Sequence, residues 1–286
     1  MDKHPADLAV SVFRGVRLAL HLFYGILLAI FYPHLNQAMQ RRTLRTWSRQ
    51  LLAILNIGIQ SEGQQLTRDE SGCLLIANHV SWLDIFVLNA IYPSLFIAKS
   101  EVRDWPVIGW LCRRTGTIFI ERAMRQNASS INRRVSLLLK QGACIGLFPE
   151  GTTTDGKQAG HFHSALIQPA VDAGARLCPI ALRYQDDEGG LSAAAAFIGD
   201  MTLTQSIWQI LRCRHLDALV TYTPALMAAN ENRRVLARVA QEAITQALQY
   251  TGAGRQAAAQ QEFPLSATHA FITAGLCANL ESKSRG

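Results

Sequence analysis

From Gly72 to Thr223 the chain alternates short apolar runs with longer stretches of helical period. Cys73–Asn78, Leu95–Ala98, Thr117–Glu121, Cys144–Phe148, Leu177–Tyr184, Ala195–Ile198 and Leu216–Thr223 read as strands, because each is short, apolar and bounded by turn residues. Helical patterns fall at Ser81–Ile91, Pro106–Arg113, Arg125–Gln141, Ser164–Ala173, Thr204–Leu211 and Glu231–Tyr250. Continuous apolar strands separated by helices predict an α/β fold, a mostly parallel central sheet flanked by helices on both faces. There is no internal repeat.

The N-terminal segment reads differently. Leu8–Tyr32 is mostly apolar but carries Arg14, Arg17 and His21 on one helical face. Its most apolar part, Leu18–Tyr32, makes a helix of about 22 Å against a hydrocarbon core of about 30 Å. That length predicts a monotopic attachment or one short membrane helix. Pro33 ends the segment. Met39–Leu55 follows, with Leu44, Trp47, Leu51 and Leu55 on one face and Arg42, Arg45 and Arg49 opposite. This is the pattern of a helix in a membrane interface, and also that of a surface helix packed on a core. The membrane reading gives an N-terminal helix pair over residues 1–62, an α/β domain over 63–250 and a tail over 251–286. Ala267–Leu280 could add one helix to the tail.

Charge and cysteine usage narrow the partners. The 286 residues carry a formal charge of +7. The cations form no nucleic-acid arm, so anionic lipid is the expected partner rather than nucleic acid. The six cysteines are scattered with no C-x-x-C, which fits free thiols in a reducing cytosol.

Chemistry concentrates at the ends of three predicted strands. His79 leaves the strand Cys73–Asn78, and Asp84 follows five residues later. On one continuous helix the two would point apart. With His79 in the turn and Asp84 on the first helical turn they converge, and a carboxylate then fixes the imidazole as a base. Ser81 reads as the helix N-cap, and Ser81-x-x-Asp84 is also a capping pattern. Gly116–Arg122 is a strand that opens on glycine and ends on a cation able to clamp a phosphate or carboxylate. Phe148-Pro149-Glu150-Gly151-Thr152-Thr153 is a strand exit whose glycine admits close approach and whose amides and hydroxyls suit an anion. Pro179 lies inside a predicted strand, which implies an edge or a bulge. No metal-ligand cluster and no G-x-S-x-G nucleophile elbow is present.

These four pieces, in this order, resemble the glycerolipid acyltransferase family that includes the lysophosphatidic acid acyltransferases. Asn78-His79…Asp84 matches its first block, Gly116…Arg122 its second with Glu121 in place of the frequent Asp, Phe148–Thr152 its third and Pro179 its fourth. The resemblance implies transfer of an acyl chain from acyl-CoA or acyl carrier protein, a co-substrate rather than a cofactor, to a lysophospholipid hydroxyl. The first-choice acceptor is 1-acyl-sn-glycerol-3-phosphate. It implies His79 as general base, Asp84 as its orienting group, and Arg122 with the Glu150-Gly151-Thr152 turn as the holder of the acceptor's head. It implies membrane lipids as partners, at the cytoplasmic face of the inner membrane. One departure stands out: the family's Phe-Lys pair after the third block is Phe162-His163 here, with His161 beside it. That keeps a lyso-ornithine lipid acceptor as the alternative, and a non-catalytic lipid binder as a third reading.

Overall fold

The computed structural model describes residues 5–63, 72–120 and 125–249. Glu121, Arg122 and the tail with its expected helix lie outside the described residues. In chain order the elements are α1 (Leu8–Phe31), α2 (Gln37–Ile54), β1 (Ile57–Glu62), β2 (Cys73–Ala77), α3 (Asp84–Ile91), β3 (Leu95–Lys99), α4 (Ile108–Arg114) and β4 (Ile118–Ile120). They continue with α5 (Arg125–Lys140), β5 (Ile145–Leu147), α6 (Gln168–Ala173), β6 (Arg176–Gln185), α7 (Leu203–Arg212), β7 (Leu216–Tyr222), β8 (Leu226–Met227) and α8 (Arg233–Gln249).

The strands form one sheet in the order β1-β7-β6-β2-β5-β3-β4, with β8 added to β6. The five strands from β6 to β4 are parallel, and β7 and β8 run antiparallel to β6. The two-residue period of a strand divides the core cleanly. Cys73, Leu75 and Ala77 of β2 enter one apolar cluster with Leu83, Val87 and Leu88 of the α3 region. Leu74 and Ile76 enter the other, with Val135 of α5 and Leu236 and Ile244 of α8. Both faces are therefore covered, as continuous apolar strands require.

Three sequence expectations are corrected. Ala195–Ile198 is not a strand but a loop, although Ala195 and Ala196 are buried. Apolar character there reports burial against the turn after β2, where the Phe197 amide donates to the Val80 carbonyl at 2.9 Å. Pro179 lies in an interior strand, between β2 and β7. Its carbonyl accepts from the Thr223 amide at 3.1 Å, and within a strand a residue's N–H and C=O point the same way. The missing donor thus faces the gap between the pairings of β8 and β7, where the ladder does not need it.

The third correction concerns α2. Ser48, Leu51, Leu52 and Leu55 are buried, Trp47 packs on Phe86 of α3, and Arg49 Nε donates to the Ala90 carbonyl at 2.9 Å. The apolar stripe faces the core, so α2 is not the interface helix that its amphipathicity also allowed. An apolar stripe looks the same whichever apolar phase receives it.

The helix α1 has the inverse polarity. One stripe, Ser11, Leu18, His21, Gly25 and Ala29, faces the domain. Ring stacking of His21 on Trp47 at 4.7 Å closes this contact, and a Cβ on Gly25 would lie 2.7 Å from Trp47 Nε1. The large residues point away: Phe13, Leu20, Phe23 and Phe31 are each at least 60% exposed. The helix is longer than the 15 residues of its most apolar stretch and includes Arg14, whose side chain donates to the carbonyls of Cys213 and Arg214 at 2.7 and 3.1 Å. Its 24 residues measure about 36 Å, and by length and composition it could cross a membrane.

Candidate active site

The site is built at the carboxyl edge of the parallel strands, where open α/β sheets hold ligands. β2 delivers His79 and β5, its neighbour, delivers Phe148 to Gly151. His79 Nδ1 lies 2.7 Å from Asp84 Oδ2. The same oxygen accepts from the Val80 and Ser81 amides at 2.7 and 2.9 Å. The capping and orienting readings of Asp84 are therefore both satisfied by one carboxylate, which reaches back over the turn. Ser81 does not cap α3. The residue before the helix is Leu83, and the Ser81 hydroxyl is buried without a hydrogen bond among the described residues.

Asp84 is fully buried, whereas the His79 side chain keeps 20% of its surface. A carboxylate can only accept here, so Nδ1 carries the proton and Nε2 keeps a lone pair for chemistry. The imidazole lies flat on Phe148, with centroids 4.1 Å apart and planes 9° apart. Phe96 of β3 stacks behind Phe148 at 5.7 Å. Gly146 permits this column, because a Cβ there would come within 2.4 Å of the Phe96 ring.

Glu150 is buried beside the histidine. Its Oε1 accepts from the Gly160 amide at 3.0 Å, and among the described residues Oε2 has no hydrogen-bond partner. Burial pushes its carboxyl up to about 7, against the pull of the Gly160 and His79 amides and of the His79 ring. The turn beyond is pinned to the catalytic edge. The Gly151 amide donates to the Phe148 carbonyl at 3.1 Å with φ at +68°, and the Thr154 amide donates to the His79 carbonyl at 2.7 Å. The Thr153 hydroxyl donates to the Phe197 carbonyl, which ties the turn to the loop at Ala195–Ile198.

The other sequence candidates separate by position. Pro149 is buried and its carbonyl accepts from the His163 amide at 3.0 Å. Thr152 and His163 are exposed at the mouth, and the His161 and His163 rings meet edge to face at 5.4 Å. Asn78 is fully buried, and its side-chain amide makes both backbone hydrogen bonds of Leu182 in β6, at 2.9 and 2.7 Å. It extends the β2–β6 ladder past the point where the backbone turns away. Pro179 is buried mid-sheet, opposite Ile76. Gly116, with φ at +82°, precedes β4 and so lies at the amino edge, a strand's length from His79; it lines a groove with Tyr32, Trp110, Arg113 and Arg114. Arg122 is among the residues not described.

One group had no signal in the sequence. The Tyr184 hydroxyl, from β6, donates to Asp84 Oδ1 at 2.8 Å, and burial beside that carboxylate holds the phenol well above its ordinary range. Among the described residues no group of three or more His, Cys, Asp or Glu is placed to hold a metal ion.

A buried carboxylate, an oriented imidazole at the surface and a turn of amides and hydroxyls can together take a proton from an alcohol and hold a polar head. Comparison with known proteins identifies the family. A family model described as Acyltransferase matches residues 58–183. The chain is 38% identical over 206 residues to the 1-acyl-sn-glycerol-3-phosphate acyltransferase of Neisseria meningitidis, covering 72% of this chain and 80% of that relative. It is 36% identical over 218 residues to the lyso-ornithine lipid O-acyltransferase of Pseudomonas aeruginosa, covering 76% and 83%. Among solved structures, the 1-acyl-sn-glycerophosphate acyltransferase PlsC of Thermotoga maritima shares the fold, with a TM-score of 0.58 at 19% identity over 82% of this chain and 96% of that one. With relatives of this identity along more than two thirds of its length, the chain belongs to the acyltransferase family.

Proposed function

We propose that the chain transfers a fatty acyl group from a thioester, acyl-CoA or acyl carrier protein, to the free hydroxyl of a lysophospholipid, with 1-acyl-sn-glycerol-3-phosphate as acceptor and phosphatidic acid as product. The 2.7 Å contact between His79 and Asp84 at the sheet's carboxyl edge carries the reading. Nε2 of His79 removes the hydroxyl proton as the oxygen attacks the thioester carbonyl. The tetrahedral intermediate collapses, the C–S bond breaks, and the imidazolium returns the proton to the leaving thiolate. Asp84 stabilises the imidazolium in between. The acceptor is itself the nucleophile, so no acyl-enzyme forms. Arg122 and the Glu150–Thr153 turn hold the head, with His163 contributing as the family resemblance suggests.

A second reading, O-acylation of a lyso-ornithine lipid, is favoured by one observation. Between Pro149 and His163 the only lysine or arginine is Lys157, which is exposed and paired with Asp155 at 3.0 Å. That stretch offers a phosphate monoester little fixed charge.

We further propose that α1 lies in the cytoplasmic leaflet of the inner membrane without crossing it. Near its start it is tied to the end of α7, where the Ala6 amide donates to the Arg212 carbonyl at 2.7 Å and Arg14 to the next two carbonyls. That point lies beside the start of β7, at the catalytic edge. Its other end, at Tyr32, lines the groove with Gly116 at the amino edge. A helix docked to one domain at both ends presents its outer face to a single leaflet, and thioester donors are cytosolic.

The test is turnover with labelled acyl-CoA and acyl carrier protein against a panel of lysolipids. Wild type should acylate one acceptor class, and His79→Ala should lose a factor of about 10²–10⁴ while its melting temperature holds. Equal turnover by the two proteins overturns the proposed chemistry.

A further inference from the structure

We infer that Tyr184 is a positioning residue for the reaction, acting through Asp84 to hold the carboxylate's orientation and to set how strongly it attracts a proton on His79. The inference rests on the general-base reading of His79 given above. Asp84 is wholly buried, so no solvent shares its charge. Among the described residues it receives four hydrogen bonds, and they are unevenly divided. Three converge on Oδ2, from His79 Nδ1 and the amides of Val80 and Ser81, whereas the one to Oδ1 comes from the Tyr184 hydroxyl at 2.8 Å.

The three bonds on Oδ2 come from one short turn and share one pivot. None of the three engages the other oxygen, Oδ1. The Tyr184 bond comes from β6, a hundred residues away, and fixes the second oxygen against the sheet. The tyrosine can supply it because residues 178, 180, 182 and 184 of β6 all enter the cluster beneath α3. The Asn78 amide ties β2 to β6 at Leu182, two residues before Tyr184. The histidine's turn and the tyrosine's strand are thus held in one register.

Packing alone would be served by phenylalanine. The hydroxyl adds a donor that draws charge away from the oxygen facing His79. Without it, more charge rests on Oδ2 and the imidazolium is better stabilised. The acid limb of the pH–rate profile then moves to higher pH. A stronger donor moves it the other way. The titratable groups facing Asp84 are His79 on the turn after β2, Glu150 on the turn after β5 and Tyr184 on β6. Because Glu150 titrates near 7, the profiles are best compared in a Glu150→Gln background.

The experiment uses the full-length enzyme in mixed micelles, with Tyr184→Phe, a 3-fluorotyrosine at position 184, Asp84→Asn and the double variant Tyr184→Phe/Asp84→Asn. Tyr184→Phe should lower kcat about 10- to 150-fold, in the range for loss of a hydrogen bond to a charged group, with both KM values within about twofold. Its acid limb should rise, and that of the fluorotyrosine enzyme, whose packing is nearly native, should fall. In the Asp84→Asn background, Tyr184→Phe should cause no further loss. A limb that moves in neither variant, or losses that multiply in the double variant, would reduce Tyr184 to a core filler. NMR titration of the His79 imidazole, which needs no substrate, separates the two readings. If no acceptor is turned over, the acyl-transfer proposal fails, while opposite displacements of the titration midpoint in the two tyrosine variants still support the coupling, and an unmoved midpoint overturns it.

Discussion

Replacing Glu150 by glutamine should make the fold's stability less sensitive to pH. The carboxyl sits up at about 7 in the folded chain against an ordinary 4.5, because burial disfavours its charge more than the nearby amides favour it. A carboxyl whose folded value is raised is held protonated more tightly by the native state than by the unfolded chain. Its ionisation therefore adds a destabilising term that is absent well below 4.5, grows as pH rises, and is complete above about 7. At about 1.4 kcal/mol per unit the full term is roughly 3 kcal/mol, most of which falls between pH 5 and pH 8.5. Glutamine has no such term. Its carbonyl can keep the Gly160 bond. Any other change made by its uncharged amide costs the same at every pH and cancels in the comparison. For a domain of this size 1 kcal/mol is worth about 2–4 °C. The melting temperature of Glu150→Gln minus that of wild type should thus be about 5–10 °C more positive at pH 8.5 than at pH 5, by scanning fluorimetry in one detergent. A difference that stays constant with pH would mean that Glu150 ionises as an exposed carboxyl does, and the buried arrangement beside His79 would be wrong.

Two further outcomes follow from the packing. Asn78→Leu strands the Leu182 amide and carbonyl inside the sheet, which should cost about 2–4 kcal/mol and lower the melting temperature; a variant as stable as wild type would show that Asn78 does not join β2 to β6. Changing Phe13, Leu20, Phe23 and Phe31 together to serine should move the folded protein from the membrane pellet to the supernatant, whereas Leu51→Asp should abolish folded protein rather than release it. A soluble, folded Leu51→Asp enzyme would return α2 to the bilayer.

Much of this was legible in the chain because the signals are local. The His79-to-Asp84 spacing, the glycine and proline of the third block, and the switch between two-residue and helical periods all depend on residues a few positions apart. Those short-range constraints specified an α/β domain, placed the histidine at a strand exit and brought the carboxylate back to it. Three features depend on contacts between distant segments and could not be read that way. The amphipathic stripe of α2 carries no mark of whether lipid or protein receives it; packing against α3 decides that. Within the apolar run Ala195–Ile198, Ala195 and Ala196 are buried beside the turn after β2, not by a ladder. Tyr184 meets Asp84 only because β6 pairs beside β2, a neighbourhood determined by how the whole sheet closes. Local periodicity determined which elements form. Only tertiary packing decided which face each presents and which distant side chain completes the site, because burial depends on partners that no short stretch of chain contains.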